Sequence, residues 1–321
     1  LKAIEYTLPD LGPEQVDIRV EYCGICHSDL SMLRNEWGFS SYPIVPGHEV
    51  VGRVEEVGSM VKNLKPGDRV GVGWFSGSCM TCPQCIGGDH NLCATGEGVI
   101  VGRHGGFADR VRTHWVWATP LPAALSAQSA GPLFCGGITV FNPIMEFGVR
   151  PTDRVGVIGI GGLGHLAVQF LNKWGCEVTA FSSNPAKSPE LIKLGAHRVV
   201  NSRDTEAMKA EAGRYDFILS TVNVPLEWSS YVSALAPRGR LHLVGAVLEP
   251  LPVQAFPLMM GQRSISGSPL GSPATTAKML DFCARHGISP IVEEFPMAEV
   301  NTALDRLENG SPRYRIVLKA D

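Results

Sequence analysis

The chain has 321 residues, 44% of them hydrophobic, 36 glycines and a formal charge of −3. No apolar run approaches the roughly 20 residues of a membrane-spanning helix, and Lys and Arg are scattered, so neither a membrane nor a nucleic-acid backbone is an expected partner. The length suits about two domains, and nine cysteines, an odd number, speak for metal or catalysis over disulfides in an intracellular chain.

Leu1-Lys2-Ala3 is followed by no apolar segment of the kind a secretory signal carries, and the expectation is a cytoplasmic protein. The first 130 or so residues alternate in short stretches, as in Val16-x-Ile18-x-Val20-x-Tyr22, between turns such as Pro46-Gly47 and Lys65-Pro66-Gly67-Asp68. This pattern predicts a β-rich, irregular domain. Within it, Tyr22-Cys23-Gly24-Ile25-Cys26-His27-Ser28-Asp29 has three readings: a redox dithiol, half of a metal site, or two small buried residues. Pro46-Gly47-His48-Glu49 and Pro132-Leu-Phe-Cys135 lie far from it. Taken singly, His48 reads as a turn histidine, Glu49 as half of an ion pair and Cys135 as a core residue.

Cys79, Cys82, Cys85 and Cys93 give the spacing C-x2-C-x2-C-x7-C. Four thiolates so close can fold one loop around a tetrahedral zinc with no open position, which is a structural site. Ferredoxin clusters begin in the same way, but their fourth cysteine follows after three residues and precedes proline.

From about residue 153, apolar runs at 155 to 160, 178 to 181, 199 to 200, 217 to 219 and 241 to 244 alternate with helical segments. That alternation predicts βαβ units and a parallel sheet. The first run enters Gly159-Ile160-Gly161-Gly162-Leu163-Gly164 and then a helix with Leu163, Leu166, Ala167, Phe170, Leu171 and Trp174 on one face, ended by Gly175. Glycines there permit a tight turn and a close approach to a pyrophosphate, and the helix N-terminus attracts its charge. The second strand ends in Ser182-Ser183-Asn184-Pro185-Ala186-Lys187 instead of a carboxylate. Hydroxyls, an amide and a lysine can donate to a 2′-phosphate that an acidic residue would repel, so NADP(H) is expected over NAD. Helices near 273 to 286 and 297 to 308 and a strand after Tyr314 complete the chain.

Gly24-Ile-Cys26-His-Ser-Asp29, Gly47-His48-Glu49, the four-cysteine segment, Pro132-Leu-Phe-Cys135-Gly-Gly-Ile-Thr139 and the glycine turn occur in this order along nearly the whole chain. Together they resemble the zinc-dependent medium-chain alcohol dehydrogenases. Asn35-Glu-Trp37-Gly-Phe39, Phe181-Ser-Ser-Asn-Pro-Ala-Lys187 and Arg313-Tyr-Arg-Ile-Val-Leu-Lys-Ala320 are similar to the cinnamyl-alcohol-dehydrogenase branch, especially its bacterial broad-range NADPH-dependent aldehyde reductases.

The resemblance implies an α/β fold: a Rossmann doubly wound parallel-sheet domain at residues 136–269, and a β-rich GroES-like catalytic domain at residues 1–135 and 270–321. It implies two zinc ions per chain. Cys26, His48 and Cys135 would hold the catalytic one with Glu49 as an occasional ligand, and Cys79, Cys82, Cys85 and Cys93 the structural one. Asp29 would brace His48, and Ser28 would pass a proton to the substrate oxygen. Ser31 stands where many members carry a histidine that finishes the proton relay, and this departure leaves Ser31 with water, His27 or another histidine as its end. Cofactor contacts would come from His27, Thr139, residues 159 to 164, Ser182, Ser183, Asn184, Lys187, Thr221, Gly245, Ser266 and Ser268. Trp37 and Trp74 are candidate pocket walls. The implied activity is NADP(H)-dependent interconversion of alcohols with aliphatic or aromatic aldehydes, by a homodimer. The rival readings are a polyol dehydrogenase, a dinucleotide-sensing protein with structural zinc only, and a thiol oxidoreductase built on Cys23 and Cys26.

Overall fold

The alternation that begins at Val16 forms an eleven-residue strand, Gln15–Ile25, whose Val16, Ile18 and Val20 side chains are all buried. The computed structural model describes residues 1–310 and 312–320, and they divide into two units, Leu1–Ile138 with Gly271–Asp321, and Thr139–Leu270.

In the first unit, Gln15–Ile25 is central to a seven-stranded sheet. It pairs antiparallel with Val50–Val57 along one edge, and along the other with Arg110–His114 and then Arg315–Lys319. The C-terminal strand therefore lies beside residues 22 to 25, with Ile316 opposite Ile25. This pairing delivers Arg315 to the neighbourhood of Cys26. Val16, Ile18, Val50, Val70, Val72 and Ile100 make the main core, and each such side chain contributes about 1.5–3 kcal/mol by leaving water. A smaller cluster joins Ile25 and Leu30 to Ala303, Leu304, Ile316 and Leu318 and pins the helix His27–Leu33. A two-stranded hairpin, Phe75–Gly77 with Glu97–Gly98, brackets the four-cysteine loop.

The second unit is a six-stranded parallel sheet. From Arg154–Ile158 the chain builds outward through Glu177–Ser182 and Arg198–Asn201. It then returns to the other side of Arg154–Ile158 for Tyr215–Ser220, Leu235–Leu243 and Ser264–Gly267. The reversal makes a topological switch point, where ligands bind outside the carboxyl ends of the strands. The helix Gly164–Trp174 buries Leu166, Ala167, Phe170 and Leu171. It ends at Gly175, which is left-handed at φ 110 and donates its N–H to the Leu171 and Asn172 carbonyls. Among the described residues no helix is long and apolar enough to cross a membrane.

Candidate catalytic and cofactor sites

Three separate segments of the first unit converge on one buried point. Cys26 precedes the helix His27–Leu33, His48 and Glu49 precede the strand Val50–Val57, and Cys135 follows a short 3-10 turn, Gly131–Phe134. The His48 Nε2 lies 3.3 Å from the Cys135 Sγ, and the two sulfurs are 3.9 Å apart. With a Glu49 oxygen, all four donors fall within 4.8 Å of one another. Zinc–sulfur bonds of about 2.3 Å in a tetrahedron set sulfur–sulfur edges of roughly 3.8 Å, so the cluster has the dimensions of a zinc site.

Asp29 organises this cluster. Its Oδ1 faces the His48 Nδ1 at 3.0 Å and accepts the Gly47 N–H at 2.9 Å, while its Oδ2 accepts the Cys26 N–H at 2.9 Å. A proton on Nδ1 toward Asp29 leaves the Nε2 lone pair facing the sulfurs. Burial opposes protonation of His48, but Asp29 and then the Cys26 sulfur overcome it and raise its pKa well above the ordinary value. The hydrogen bond with Cys135, helped by Arg315 and His48, lowers the Cys26 pKa well below that of a free thiol. The same bond, with burial, raises that of Cys135.

Glu49 is buried completely. Burial raises its pKa although Arg315 opposes the shift. Its Oε1 accepts from the Arg315 Nη2, which also donates to the Ile25 carbonyl at 3.3 Å. Its Oε2 is buried with no hydrogen-bond partner among the described residues. Gly24 is required beneath it, because a Cβ there would overlap the carboxylate. Cys23 has other surroundings: its Sγ lies 3.6 Å from the Gly24 carbonyl and is closed over by Gly47 and Gly106.

The Ser28 hydroxyl lies 3.7 Å from the Cys26 sulfur. Ser31 follows one helical turn later, on the same face, and donates to the Glu36 Oε2 at 2.7 Å. Glu36 is partly exposed and its other oxygen is 4.0 Å from the Arg34 guanidinium. His27 is exposed. From His48 a row of aromatic rings leads outward: Trp74 stands edge-on at 5.2 Å, Trp37 contacts Trp74 at 5.8 Å, and the half-exposed Phe39 stacks on Trp37 at 5.8 Å.

The four cysteines of the loop also gather. Backbone N–H groups point at their sulfurs, from Cys82 to Cys79 at 3.3 Å, from Cys85 to Cys82 at 3.5 Å and from Cys79 to Cys93 at 3.4 Å. Backbone donors from Thr81 and Cys82 lower the Cys79 pKa to about 5, while burial and Cys82 raise that of Cys85 to about 11. Donors aimed at sulfur favour thiolate and metal binding over disulfide formation.

In the second unit, Gly159 follows its strand at φ 82, a Cβ there would overlap the Val222 side chain, and a Cβ at Gly164 would overlap the Gly159 carbonyl. Gly161, in contrast, is exposed and faces open space, as a backbone surface for a phosphate must. Ile160 is buried and Gly162 and Leu163 are half-buried. The Thr221 hydroxyl donates to the Gly159 carbonyl at 2.6 Å and lies 3.0 Å from that of Ile158, so its side chain holds the turn. A Cβ at Gly245 would overlap the Val222 carbonyl. The Ser182 hydroxyl donates to the Asn184 carbonyl at 3.1 Å and accepts the Asn184 N–H at 3.2 Å, and the Asn184 side chain caps Pro185–Lys187, leaving exposed Ser183 and half-buried Lys187 as the outward donors. Thr139 is buried in the helix Gly136–Glu146. Ser266 and Ser268 both bond to His242.

Arg315, Glu36 and His242 were not singled out by sequence spacing. For Arg315 the available signal was a cation directly before the apolar run Ile316-Val317-Leu318.

A family model described as the alcohol dehydrogenase GroES-like domain matches residues 12–123, and one described as zinc-binding dehydrogenase matches residues 162–285. An aldehyde reductase, AdhA, from Synechocystis sp. is 57% identical over 318 residues, covering 99% of this chain and 95% of that protein. The structure of a cinnamyl alcohol dehydrogenase (SbCAD4) from Sorghum bicolor superposes with TM-score 0.92 at 39% identity, covering 98% of this chain and 92% of that one. A Helicobacter pylori CAD complexed with NADP(H) gives TM-score 0.88 at 31% identity, covering 97% and 91%. The chain belongs to the zinc-dependent medium-chain alcohol dehydrogenases, in their cinnamyl-alcohol-dehydrogenase branch, and is an oxidoreductase of the alcohol dehydrogenase and aldehyde reductase kind.

Proposed function

We propose that the protein is an NADP(H)-dependent aldehyde reductase of broad range, acting reversibly on apolar aliphatic and aromatic aldehydes. The observation that carries this reading is the convergence of Cys26, His48 and Cys135 at tetrahedral spacing, 3.3 and 3.9 Å, in a buried pocket. Those three residues would hold a catalytic zinc, with the unpartnered Glu49 Oε2 as a further donor, and the four-cysteine loop a structural one. Bound there, zinc supplies Lewis-acid polarisation of a carbonyl, and the dinucleotide supplies hydride.

The chain's own residues do the rest. Asp29 fixes the His48 ring and tautomer, and Arg315 compensates the buried Glu49 carboxylate. Ser28 donates the proton that the reduced substrate oxygen needs. Ser31 and Glu36 lead that proton's replacement to solvent, in place of a relay histidine. Trp74, Trp37 and Phe39 form one wall of an apolar substrate path.

The glycine turn 159 to 164 would cradle the pyrophosphate, with Thr221 holding its geometry and Gly245, Ser266 and Ser268 at neighbouring strand ends. Ser183 and Lys187 would meet the 2′-phosphate while Ser182 holds the turn, and no carboxylate stands at that strand end to repel it. Localisation to the cytoplasm follows from the reduced thiols these sites need. A homodimer is supported by the edge strand Ser264–Gly267, which has one strand neighbour among the described residues, and by exposed Leu248, Phe256, Met259 and Met260 nearby in sequence.

The test is kcat/KM for an aldehyde panel with NADPH and with NADH, beside zinc analysis of the same protein. Turnover with NADPH favoured and two zinc ions per chain are expected. A preference for NADH, or one zinc and no turnover, would overturn it.

A further inference from the structure

His242 lies in the strand Leu235–Leu243, fully buried, and its ring reaches the neighbouring edge strand with both nitrogens. Nδ1 is 2.9 Å from the Ser266 hydroxyl and Nε2 is 3.0 Å from the Ser268 hydroxyl. Phe147 and Phe217 both pack against the ring, with centroids at 4.7 and 5.9 Å. Burial, with Arg240, lowers its pKa to about 4, so at neutral pH it has one N–H and one lone pair. One serine then accepts and the other donates, and both ring nitrogens are satisfied.

This arrangement spans Gly267, the residue with the greatest backbone freedom at that strand end. His242 stands directly across the ladder from Ser266, while Ser268 lies just beyond the strand. Among the described residues the edge strand has no strand neighbour on its outer side to fix where Ser268 goes. The imidazole supplies that constraint from within the sheet. A leucine or isoleucine would fill the same volume against the phenylalanines without it.

In a doubly wound sheet the two mononucleotide halves lie on opposite sides of the switch point. Ser182, Ser183 and Lys187 are on the side of Glu177–Ser182, whereas Ser266 and Ser268 end the last strand on the other side. We propose that His242 is a positioning residue for the nicotinamide half of the cofactor, holding Ser266 and Ser268 where that half binds. The inference rests on the dinucleotide reading given under the proposed function.

The experiment measures Kd for NADPH and for 2′,5′-ADP, which probes the adenosine half alone, on the zinc-loaded wild type and on His242→Leu. Loss of the two hydrogen bonds is expected to weaken NADPH about tenfold and leave 2′,5′-ADP within about twofold. His242→Gln, which keeps a polar group toward Ser268, is expected to recover most of the NADPH affinity. A histidine that only fills the core would lower thermal stability and change both ligands alike, so parallel losses, or none, would overturn the proposal. If His242→Leu does not fold, the Ser266→Ala/Ser268→Ala double variant replaces it. The same split between ligands is then expected, and its absence is fatal to the idea. A wild type that binds neither ligand would instead sink the dinucleotide reading itself.

Discussion

Asp29 and His48 meet at 3.0 Å with neither side chain exposed, and the same carboxylate also fixes the backbone at Gly47 and Cys26. One side chain thus sets the distance between two segments that each contribute a donor. Removing it frees the imidazole to rotate and leaves two buried N–H groups without an acceptor.

Asp29→Ala should therefore lose zinc from the catalytic site before it loses the fold. Partners of this kind are worth about 10–100-fold in metal affinity or activity. Zinc per chain and kcat/KM, measured on the same preparation, should fall together, with zinc in the four-cysteine loop retained. Unchanged metal content and activity would show that His48 needs no brace.

Arg315 and Glu49 form a buried pair, joined across 266 residues of sequence. Taking away one member strands the other charge, which costs on the order of 3–5 kcal/mol, whereas removing both costs much less. Urea denaturation should accordingly place Arg315→Met well below the wild type and Arg315→Met/Glu49→Gln between the two. An additive double variant would mean that the pair is not coupled.

That pair also marks how far the sequence could be read. Five of the six parallel strands were legible because they contain apolar runs, whereas the half-buried edge strand Ser264–Gly267 has none, and the helix after Gly164 was legible because its apolar stripe repeats over eleven residues. The four-cysteine loop was legible because its donors lie within fifteen residues. Nothing in local spacing could bring Cys26 to Cys135, or Arg315 to Glu49. Their meeting depends on which strands pair with Gln15–Ile25, and only the resemblance to a known family linked the two cysteines. His242 was hidden for the same reason, since its partners stand on the next strand, 24 and 26 residues away.

The hydrogen bond from Ser31 to Glu36 yields a kinetic prediction. On the proposed path Ser28 is the direct proton donor, so Ser28→Ala should lower kcat by roughly 100-fold or more. Glu36→Gln and Ser31→Ala, further along the path, should lower it less, raise the solvent deuterium isotope effect, and be rescued in part by imidazole buffer. Wild-type kcat and isotope effect in Glu36→Gln would show that protons leave by another route.

The four-cysteine loop should behave as a stability element separate from catalysis. Cys85 is buried and serine is a harder, poorer zinc ligand than thiolate, so Cys85→Ser should lose the zinc proposed for this loop and lower Tm while zinc at the catalytic site stays. Loss of both ions together would make the two sites interdependent.

His242 supplies a pH dependence of stability whose sign follows from its burial. Its pKa is about 4 in the folded chain and its ordinary value is 6.5, so between these values the unfolded chain binds a proton that the native one refuses. Stability from this group is whole above about pH 6.5, falls as pH drops through that window by at most about 1.4 kcal/mol per pH unit, and levels off below about 4. Arg240 pushes in the same direction, and the facing Ser266, Ser268, Phe147 and Phe217 carry no charge to oppose it. Urea midpoints at neutral pH and near pH 5 should therefore separate more for the wild type than for His242→Leu, which has nothing to protonate there. Equal separations would mean that the ring takes up a proton inside the native sheet, with both serines turned to accept from it.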